Sequence, residues 1–461
     1  MRVPKTKEDR LFGTDGVRGT ANRYPMTSEM ALALGRAAAH VFRRRGGERH
    51  RILIAKDTRL SGYMFEDALA SGICSMGVNV IQVGPLPTPA LAFLTSDMRC
   101  DAGIMISASH NPYQDNGIKF FGADGFKLPD EIEVHIEELV ASGELSRSCA
   151  RPEEIGRARR IDDAEGRYIV FLKKTFPLDL TLDGLRIVLD CANGAAYKVG
   201  PTVLEELGAE VFAVGVEPNG RNINAGCGSL HPEKAAARVR ELRADVGIAV
   251  DGDADRVVMV TERGEVVDGD ALLALCAQDW KRREQLRGGA VVATVMSNLG
   301  LEKELEKLGL RLVRTQVGDR YVVEAMRAGG YNLGGEQSGH VVFLDHSHTG
   351  DGLMAALQVL GVMKRSGRTL AELTESFTRF PQVVVNVHVA RKLPFDDLPD
   401  FKRAVDRVES ELNGQGRVLV RYSGTESKAR IMVEGLNPKR VDELAHDLAD
   451  CLKRSLAAVA S

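Results

Sequence analysis

Aromatic residues are scarce in this chain. They make up 5% of its 461 residues, with a single tryptophan, Trp280. That disfavours a stacking platform for single-stranded nucleic acid. Charge of one sign is also lacking. Lys and Arg number 61 against 64 Asp and Glu, a formal net charge of −3. The chain is therefore not held to nucleic acid by charge alone, although a local basic pocket for a small anion stays open. No apolar stretch approaches the ~18–20 residues of a membrane helix. The opening MRVPKTKEDR has no apolar segment of the kind a secretory signal needs. The expected partners thus include neither nucleic acid nor membrane. The seven cysteines, Cys74, Cys100, Cys149, Cys191, Cys227, Cys276 and Cys451, are odd in number and show no CxxC spacing. A zinc ribbon or a disulfide framework is disfavoured. Cys74 and Cys276, in apolar surroundings, fit reduced core residues of a cytoplasmic protein. There is no Walker A sequence and no G-x-S-x-G around a serine. An ATPase and a serine hydrolase of that type are both disfavoured.

What is present is a chain 44% hydrophobic and 27% charged, long enough at roughly 100–200 residues per domain for about two to four domains. A short apolar, β-branched run followed by a polar or Gly-rich loop and a helical stretch occurs three times. The runs are Arg51–Asp57 (RILIAKD), Leu185–Asp190 (LRIVLD) and Ala290–Met296 (AVVATVM). Continuous apolar strands alternating with helices predict parallel sheets covered on both faces. Residues 142–165 are polar and charged and fit a linker or exposed helix turn. Thr261–Gly269 (TERGEVVDG) predicts a hairpin-like turn closing a second unit. After Phe380–Pro381 come a strand at Val383–Ala390, a strand pair around RVLVRYSGTESKARIMV and an amphipathic helix, VDELAHDLADCLKRSL. The predicted fold is α/β: three similar α/β domains with mixed or parallel sheets, plus a smaller C-terminal α+β domain, around a central cleft. The expected boundaries are 1–150, 162–262, 265–375 and 380–461.

Four polar loops interrupt this scaffold, one per unit, each at a strand end where α/β proteins place ligands. Ser107–Lys119 (SASHNPYQDNGIK) carries Ser109, His110 and Lys119. A serine there is a nucleophile only if a base, a metal or phosphorylation changes its state, and His110 or Lys119 can supply proton transfer or charge. A plain Asx or Ser turn accounts for the same residues. Asp251–Arg256 (DGDADR) alternates three aspartates, suited to one hard cation such as Mg²⁺, with Arg256 as support. An EF-hand loop is disfavoured, because Arg256 stands where the turn glycine is required. In Gly334–His340 (GGEQSGH), Glu336 and Ser338 suit paired sugar hydroxyls, and His340 a phosphate or a proton. Arg421–Ser427 (RYSGTES), with Arg430 just beyond, combines backbone N–H groups, hydroxyls and arginine into an anion nest. Phosphoryl transfer on a sugar phosphate is the simplest chemistry using all four loops.

In this order, SASHNP, DGDADR, GEQSGH and R-x-S-G-T-E, led by Phe12–Gly19 (FGTDGVRG), resemble the α-D-phosphohexomutase superfamily over about residues 10–455. Gln337, Val317–Val322 (VGDRYV) and Asn222–Glu233 (NINAGCGSLHPE) resemble the branch acting on glucosamine phosphate. Ser427 departs from the family's usual proline. The resemblance implies that Ser109 carries a phosphoryl group and that one Mg²⁺ is held by Asp251, Asp253, Asp255 and the phosphate on Ser109. It implies proton transfer by His110 and Lys119, with Arg18 near the reacting phosphate. Sugar binding would fall to Glu336, Ser338 and His340, and phosphate binding to Arg421, Ser423, Gly424, Thr425 and Arg430. The implied reaction interconverts glucosamine 6-phosphate and glucosamine 1-phosphate for UDP-N-acetylglucosamine synthesis. Glucosamine 1,6-bisphosphate would be intermediate and activator. A mannose or glucose phosphate mutase of the same superfamily is the alternative. A non-catalytic sugar-phosphate or divalent-metal binder is the rival from another class. A homodimer is compatible with the sequence.

Overall fold

The computed structural model describes residues 10–13, 15–43, 50–423 and 427–460. Its first sheet holds β1 (Val17–Thr20), β2 (Arg51–Lys56), β3 (Asn79–Pro85), β4 (Ala102–Ile106), β5 (Asp115–Gly122) and β6 (Ala158–Arg160), in the order β1-β5-β4-β2-β3-β6. Strands β2, β3, β4 and β6 are parallel, whereas β5 runs antiparallel to β4 and β1 antiparallel to β5. The helices of this unit are α1 (Ser28–Phe42), α2 (Ser61–Ser75), α3 (Thr88–Asp97) and α4 (Asp130–Ser142).

The second unit follows α5 (Ala164–Thr175). It comprises β7 (Arg186–Asp190), α6 (Val199–Glu206), β8 (Glu210–Val214), α7 (Pro232–Leu242), β9 (Val246–Val250), β10 (Val257–Thr261) and β11 (Val266–Val267), with sheet order β11-β10-β9-β7-β8. The third comprises α8 (Gly269–Arg282), β12 (Ala290–Thr294), α9 (Leu299–Lys307), β13 (Arg311–Thr315), α10 (Asp319–Gly329), β14 (Leu333–Gly335), β15 (Val341–Phe343), α11 (Gly352–Ser366) and α12 (Leu370–Thr374), with order β13-β12-β14-β15. In the fourth, β16 (Gln382–His388), α13 (Pro399–Leu412), β17 (Gly416–Tyr422), β18 (Lys428–Gly435) and α14 (Pro438–Ala460) make a three-stranded antiparallel sheet, β16-β18-β17, packed on two helices.

The predicted α/β class with mixed or parallel sheets is what the structure has: the first three sheets are mixed, each ending in an antiparallel pair. One difference is that the span 142–165 is more than a linker. Its residues 158–160 add an edge strand parallel to β3, which satisfies backbone groups that a solvated tail would leave to water. All seven cysteines are free, four of them buried; Cys74 is only half-buried. Among the described residues no helix is long and apolar enough to cross a membrane.

One buried apolar cluster runs through the first three units. It takes Leu53 and Ile81 from the first sheet, Leu189 and Val250 from the second, and Val291 and Leu333 from the third, joined by α5 and α11. Tyr168 on α5 donates to Asp351, the N-cap of α11, at 2.8 Å. The fourth unit has a separate core, in which Val441, Leu444, Leu448 and Leu452 of α14 fall at helical spacing against β16 and β18. It meets the third unit through a polar knot. Fully buried Glu434 accepts from Asn298 Nδ2 (3.0 Å) and Gln382 Nε2 (2.8 Å).

The first unit rests on a tight crossing of α1 and α2. A Cβ at Gly72 would sit 2.2 Å from the Leu32 carbonyl oxygen, and one at Gly35 2.6 Å from that of Leu69. No rotamer change relieves a clash with backbone. Gly72→Ala should therefore destabilise the protein by about 1–3 kcal/mol, measured by denaturant unfolding.

Candidate active site

Ser109 lies just beyond β4, with its side chain buried and a backbone φ of +51°. A non-glycine residue held there costs about 1–3 kcal/mol, so its surroundings must impose it. They do so in layers. Ser107 Oγ accepts the Ser109 N–H at 2.9 Å and donates to Asp57 Oδ2 at 2.7 Å. Asp57 pairs with Arg59, which is fully buried. Arg59 donates to the carbonyls of Ser109 (3.1 Å) and Asn111. Asn224 Nδ2, from the second unit, donates to the same two carbonyls at 2.9 and 3.1 Å. The serine loop is thus clamped from two units at once. Gly252 completes the fit, since a Cβ there would stand 2.7 Å from the Ser109 carbonyl oxygen.

The clamp delivers Ser109 Oγ to the aspartate loop. The hydroxyl donates to Asp251 Oδ2 at 2.5 Å and lies 3.3 Å from His110 Nδ1. Oxygens of Asp251, Asp253 and Asp255 all fall within 4.8 Å of one another, and all three residues are buried. Asp253 Oδ1 and Asp255 Oδ1 have no hydrogen-bond partner although buried. Burial, then the charges of Asp255 and Asp253, push the Asp251 carboxyl well above the usual carboxylate range. Orphaned oxygens and surplus negative charge are what a hard divalent cation would relieve, so the residues present fit one.

The cations around the cluster come from the first and second units. Lys119 Nζ lies 2.9 Å from Asp253 Oδ2, 3.0 Å from Asp15 Oδ2 and 3.7 Å from Asp255 Oδ2. Burial opposes its charge, but these three carboxylates outweigh burial and hold the ammonium above its ordinary range. Lys119 is not on a loop as the motif suggested. It projects from β5, opposite Met105 of β4, because the last residues of the stretch pair as a strand. Arg18 pairs with Asp15. Arg256 donates its backbone N–H to Asp251 Oδ1 at 3.1 Å and sets its guanidinium 3.2 Å from His110 Nδ1. Burial, reinforced by the charges of Arg256 and Arg18, pushes His110 down to about 4.

The GEQSGH loop is the turn between β14 and β15. Glu336 accepts the Gly318 N–H and the Ser338 hydroxyl, each at 3.2 Å. His340 is buried, with Nδ1 3.8 Å from Asp255 Oδ1 and Nε2 3.3 Å from Asp319 Oδ2 and 3.0 Å from Gly350 N. Its ring therefore stands beside Asp255 and Asp319, while its carbonyl accepts the Glu336 N–H at 2.9 Å. Gly339, at φ +92°, lets this loop press on β10, where a Cβ would meet the Val257 carbonyl oxygen at 2.0 Å. In the fourth unit Arg421 and Arg430 are direct cross-strand partners. Burial, then the neighbouring Arg430 charge, lowers the Arg421 guanidinium. Two like charges facing each other would be relieved by an anion. Ser423 is buried and its N–H donates to the Lys428 carbonyl at 2.8 Å. Gly424 and Thr425 lie outside the described residues.

Sequence reasoning missed Asp15, Asp57, Arg59, Thr88 and Asn224. Thr88 donates to Asp253 Oδ2 at 2.7 Å. The available signals were polar residues directly after an apolar strand (Asp57-Thr58-Arg59) and the polar segments FGTDGVRG and NINAGCG.

Comparison with known proteins covers almost the whole chain. It matches, in order, the family models for phosphoglucomutase/phosphomannomutase alpha/beta/alpha domain I (residues 9–147), domain II (166–264) and domain III (268–380), and the C-terminal domain (384–451). It is 60% identical over 447 residues to the phosphoglucosamine mutase of Geotalea daltonii, covering 97% of this chain and 98% of that one. With the phosphoglucosamine mutase of an Anaeromyxobacter species it shares 61% identity over 451 residues, 97% and 96% of the two chains. Among solved structures it is similar to a phosphoglucomutase/phosphomannomutase family protein from Burkholderia thailandensis, with TM-score 0.80 and 23% identity over 98% of both chains. The N-acetylphosphoglucosamine mutase of Aspergillus fumigatus, solved in complex with GlcNAc-6P and magnesium, gives TM-score 0.66 and 19% identity over 96% of both. At these identities the solved structures bear on the fold alone.

Charge count at the aspartate loop should govern cation affinity. Asp255→Asn should weaken Mn²⁺ binding by about tenfold or more, since it neutralises a buried carboxylate that has no compensating hydrogen bond on Oδ1. Electron paramagnetic resonance titration of free Mn²⁺ measures it.

Proposed function

Because this chain belongs to the phosphoglucomutase/phosphomannomutase family, we propose that its site interconverts glucosamine 6-phosphate and glucosamine 1-phosphate through a phosphoserine at Ser109. The observation that carries this reading is the hydrogen bond from Ser109 Oγ to Asp251 Oδ2 at 2.5 Å. It sets the one candidate phosphoryl carrier against the one three-carboxylate cluster found among the described residues. The curated relatives, at about 60% identity over nearly their full length, supply the sugar.

Asp251, Asp253 and Asp255 would hold Mg²⁺ together with the phosphate on Ser109. Bound there, the ion neutralises charge on the phosphoryl group in transit. The chain's own residues do the rest. The Arg59 and Asn224 clamp keeps Ser109 Oγ aimed at the cluster, so little orientational freedom is lost at the moment of transfer. Lys119 and Arg18 bring positive charge to the phosphate. His110, with Nδ1 3.3 Å from Ser109 Oγ, is within reach to move the proton, and Lys119, held as an ammonium by its carboxylates, would donate one. Glu336 and Ser338 would exchange their mutual hydrogen bond for the sugar hydroxyls. Arg421, Arg430 and Ser423, with Gly424 and Thr425, would hold the phosphate that is not reacting.

The sequence of events follows from having one serine and two reactive ends. Phosphoserine gives its phosphate to the free sugar hydroxyl, forming the P–O bond as the Ser109 Oγ–P bond breaks. The product, glucosamine 1,6-bisphosphate, turns over in the cleft. The opposite phosphate then returns to Ser109 Oγ and the monophosphate leaves. The arginine pair must therefore accept either phosphate, and side chains on a ribbon suit that better than a closed pocket.

³¹P NMR of the purified chain with Mg²⁺ and a trace of sugar 1,6-bisphosphate tests the reading. Glucosamine 6-phosphate should be converted to its 1-phosphate faster than glucose or mannose 6-phosphate. Faster conversion of either other sugar would move the chain to a sister activity. Ser109→Ala should abolish turnover and leave the folded state intact by circular dichroism; full turnover in that variant would sink the phosphoserine mechanism.

A further inference from the structure

The first turn of α10 enters a seam between the first and third units. There Asp319, at the helix N-terminus where a carboxylate suits the helix dipole, pairs with Lys127. Lys127 also pairs with Asp15 Oδ1. Asp15 Oδ2 is 3.0 Å from Lys119, which is 2.9 Å from Asp253. In the other direction Asp319 Oδ2 is 3.3 Å from His340 Nε2, and His340 Nδ1 is 3.8 Å from Asp255. Lys119 Nζ is also 3.7 Å from Asp255 Oδ2, which closes a circuit of six: Lys119, Asp15, Lys127, Asp319, His340, Asp255. Carboxylates and basic side chains alternate around it, and Asp253 hangs from Lys119. Asp15, Lys119 and Lys127 come from the first unit, Asp253 and Asp255 from the second, Asp319 and His340 from the third.

The members are shielded from water. Side-chain exposure runs from 0% at Asp253 to 20% at Asp15, with Lys127 at 13% and Asp319 at 14%. Burial opposes the charge on Asp319, yet Lys127 and His340 outweigh it and hold its carboxyl down to about 2. Such a chain has little freedom. Each charge is costly unless its neighbours stay in place, so each fixes the next.

We propose that Lys127 and Asp319 are positioning residues for the mutase reaction. Their ion pair registers the third unit against the first, and so sets Lys119 and His340 on either side of the aspartate loop. The ion pairs of these two side chains are with Asp15, with each other and with His340, not with Ser109 or the aspartate loop. They act through Asp15 on Lys119 and directly on the ring of His340. This rests on the mutase reading of the site. The next residue gives an internal control. Arg320 braces the same seam through Asp130, Glu133 and the Leu128 carbonyl, and none of these belongs to the circuit. If the seam only holds two units together, Asp319 and Arg320 are equivalent. If the circuit positions the site, they are not.

The experiment compares initial rates of glucosamine 6-phosphate conversion by ³¹P NMR, with Mg²⁺ and a trace of glucosamine 1,6-bisphosphate, and Tm, in the full chain. The variants are Asp319→Asn, Lys127→Met, the two combined, and Arg320→Gln. Asp319→Asn should lose about 10²-fold in kcat, as a small misplacement does, with KM within about twofold. Lys127→Met should lose kcat similarly, and Tm as well, because it leaves Asp15 and Asp319 facing each other. The double variant should regain Tm but not kcat. Arg320→Gln should lower Tm and keep kcat within about twofold. A folded Asp319→Asn or double variant with near wild-type kcat overturns the proposal, as does equal loss of kcat in Arg320→Gln. If the single variants do not fold, the charge-balanced double variant decides. A wild-type chain that fails to convert the sugar overturns the mutase reading and this proposal together. Normal wild-type turnover with unimpaired variants overturns the proposal alone.

Discussion

Three carboxylates in one short loop are buried almost completely, and most of the polar residues around them answer to that charge. Asp251, Asp253 and Asp255 are 1%, 0% and 3% exposed. Like charges at such close range are not stable in a folded protein without compensation. The chain supplies some of it through Lys119, Arg256 and His340, and leaves Oδ1 of Asp253 and of Asp255 without a hydrogen bond. Those compensating groups sit on separate elements of three units. The unit interfaces are consequently built from the same residues as the site. Geometry that serves chemistry and geometry that serves assembly are here the same geometry.

Much of this was legible in the sequence because it is local. Each apolar run preceding a polar loop became a strand, as with Arg51–Lys56 and Arg186–Asp190. The DGDADR loop announced itself by spacing alone. The amphipathic pattern of the last helix was readable because helical spacing puts Val441, Leu444, Leu448 and Leu452 on one face. What escaped is non-local. Ser109 and Asp251 are 142 residues apart, and Asn224 reaches the Ser109 carbonyl across 115. Nothing in the composition of NINAGCG marks which amide will close over a distant loop. Lys119 was recognised as a residue but not as a strand residue, because polar Asp115-Asn116-Gly117 resembles a turn until β1 and β4 flank it. The edge strand at 158–160 carries the exposed triplet Ala-Arg-Arg, and only the neighbouring β3 gives it regular structure.

The strain at Ser109 shows how positioning is divided among layers. Its φ of +51° would relax if the loop carbonyls were released. Arg59 and Asn224 prevent this from opposite sides, and Asp57 keeps Arg59 aimed. The serine hydroxyl is therefore presented by buried side chains that do no chemistry themselves.

The partition of the apolar core carries a consequence for descent. One face of each of the first three sheets shares an interior through α5 and α11, so a change of side-chain volume there is felt across units, while the other faces keep clusters of their own. The shared residues are obliged to drift in concert. The fourth unit keeps its own interior and touches the third through the polar knot at Glu434 and Asn298. Its interior residues are free to diversify on their own clock, and a recombination break near residue 380 would transplant it with few contacts to repair.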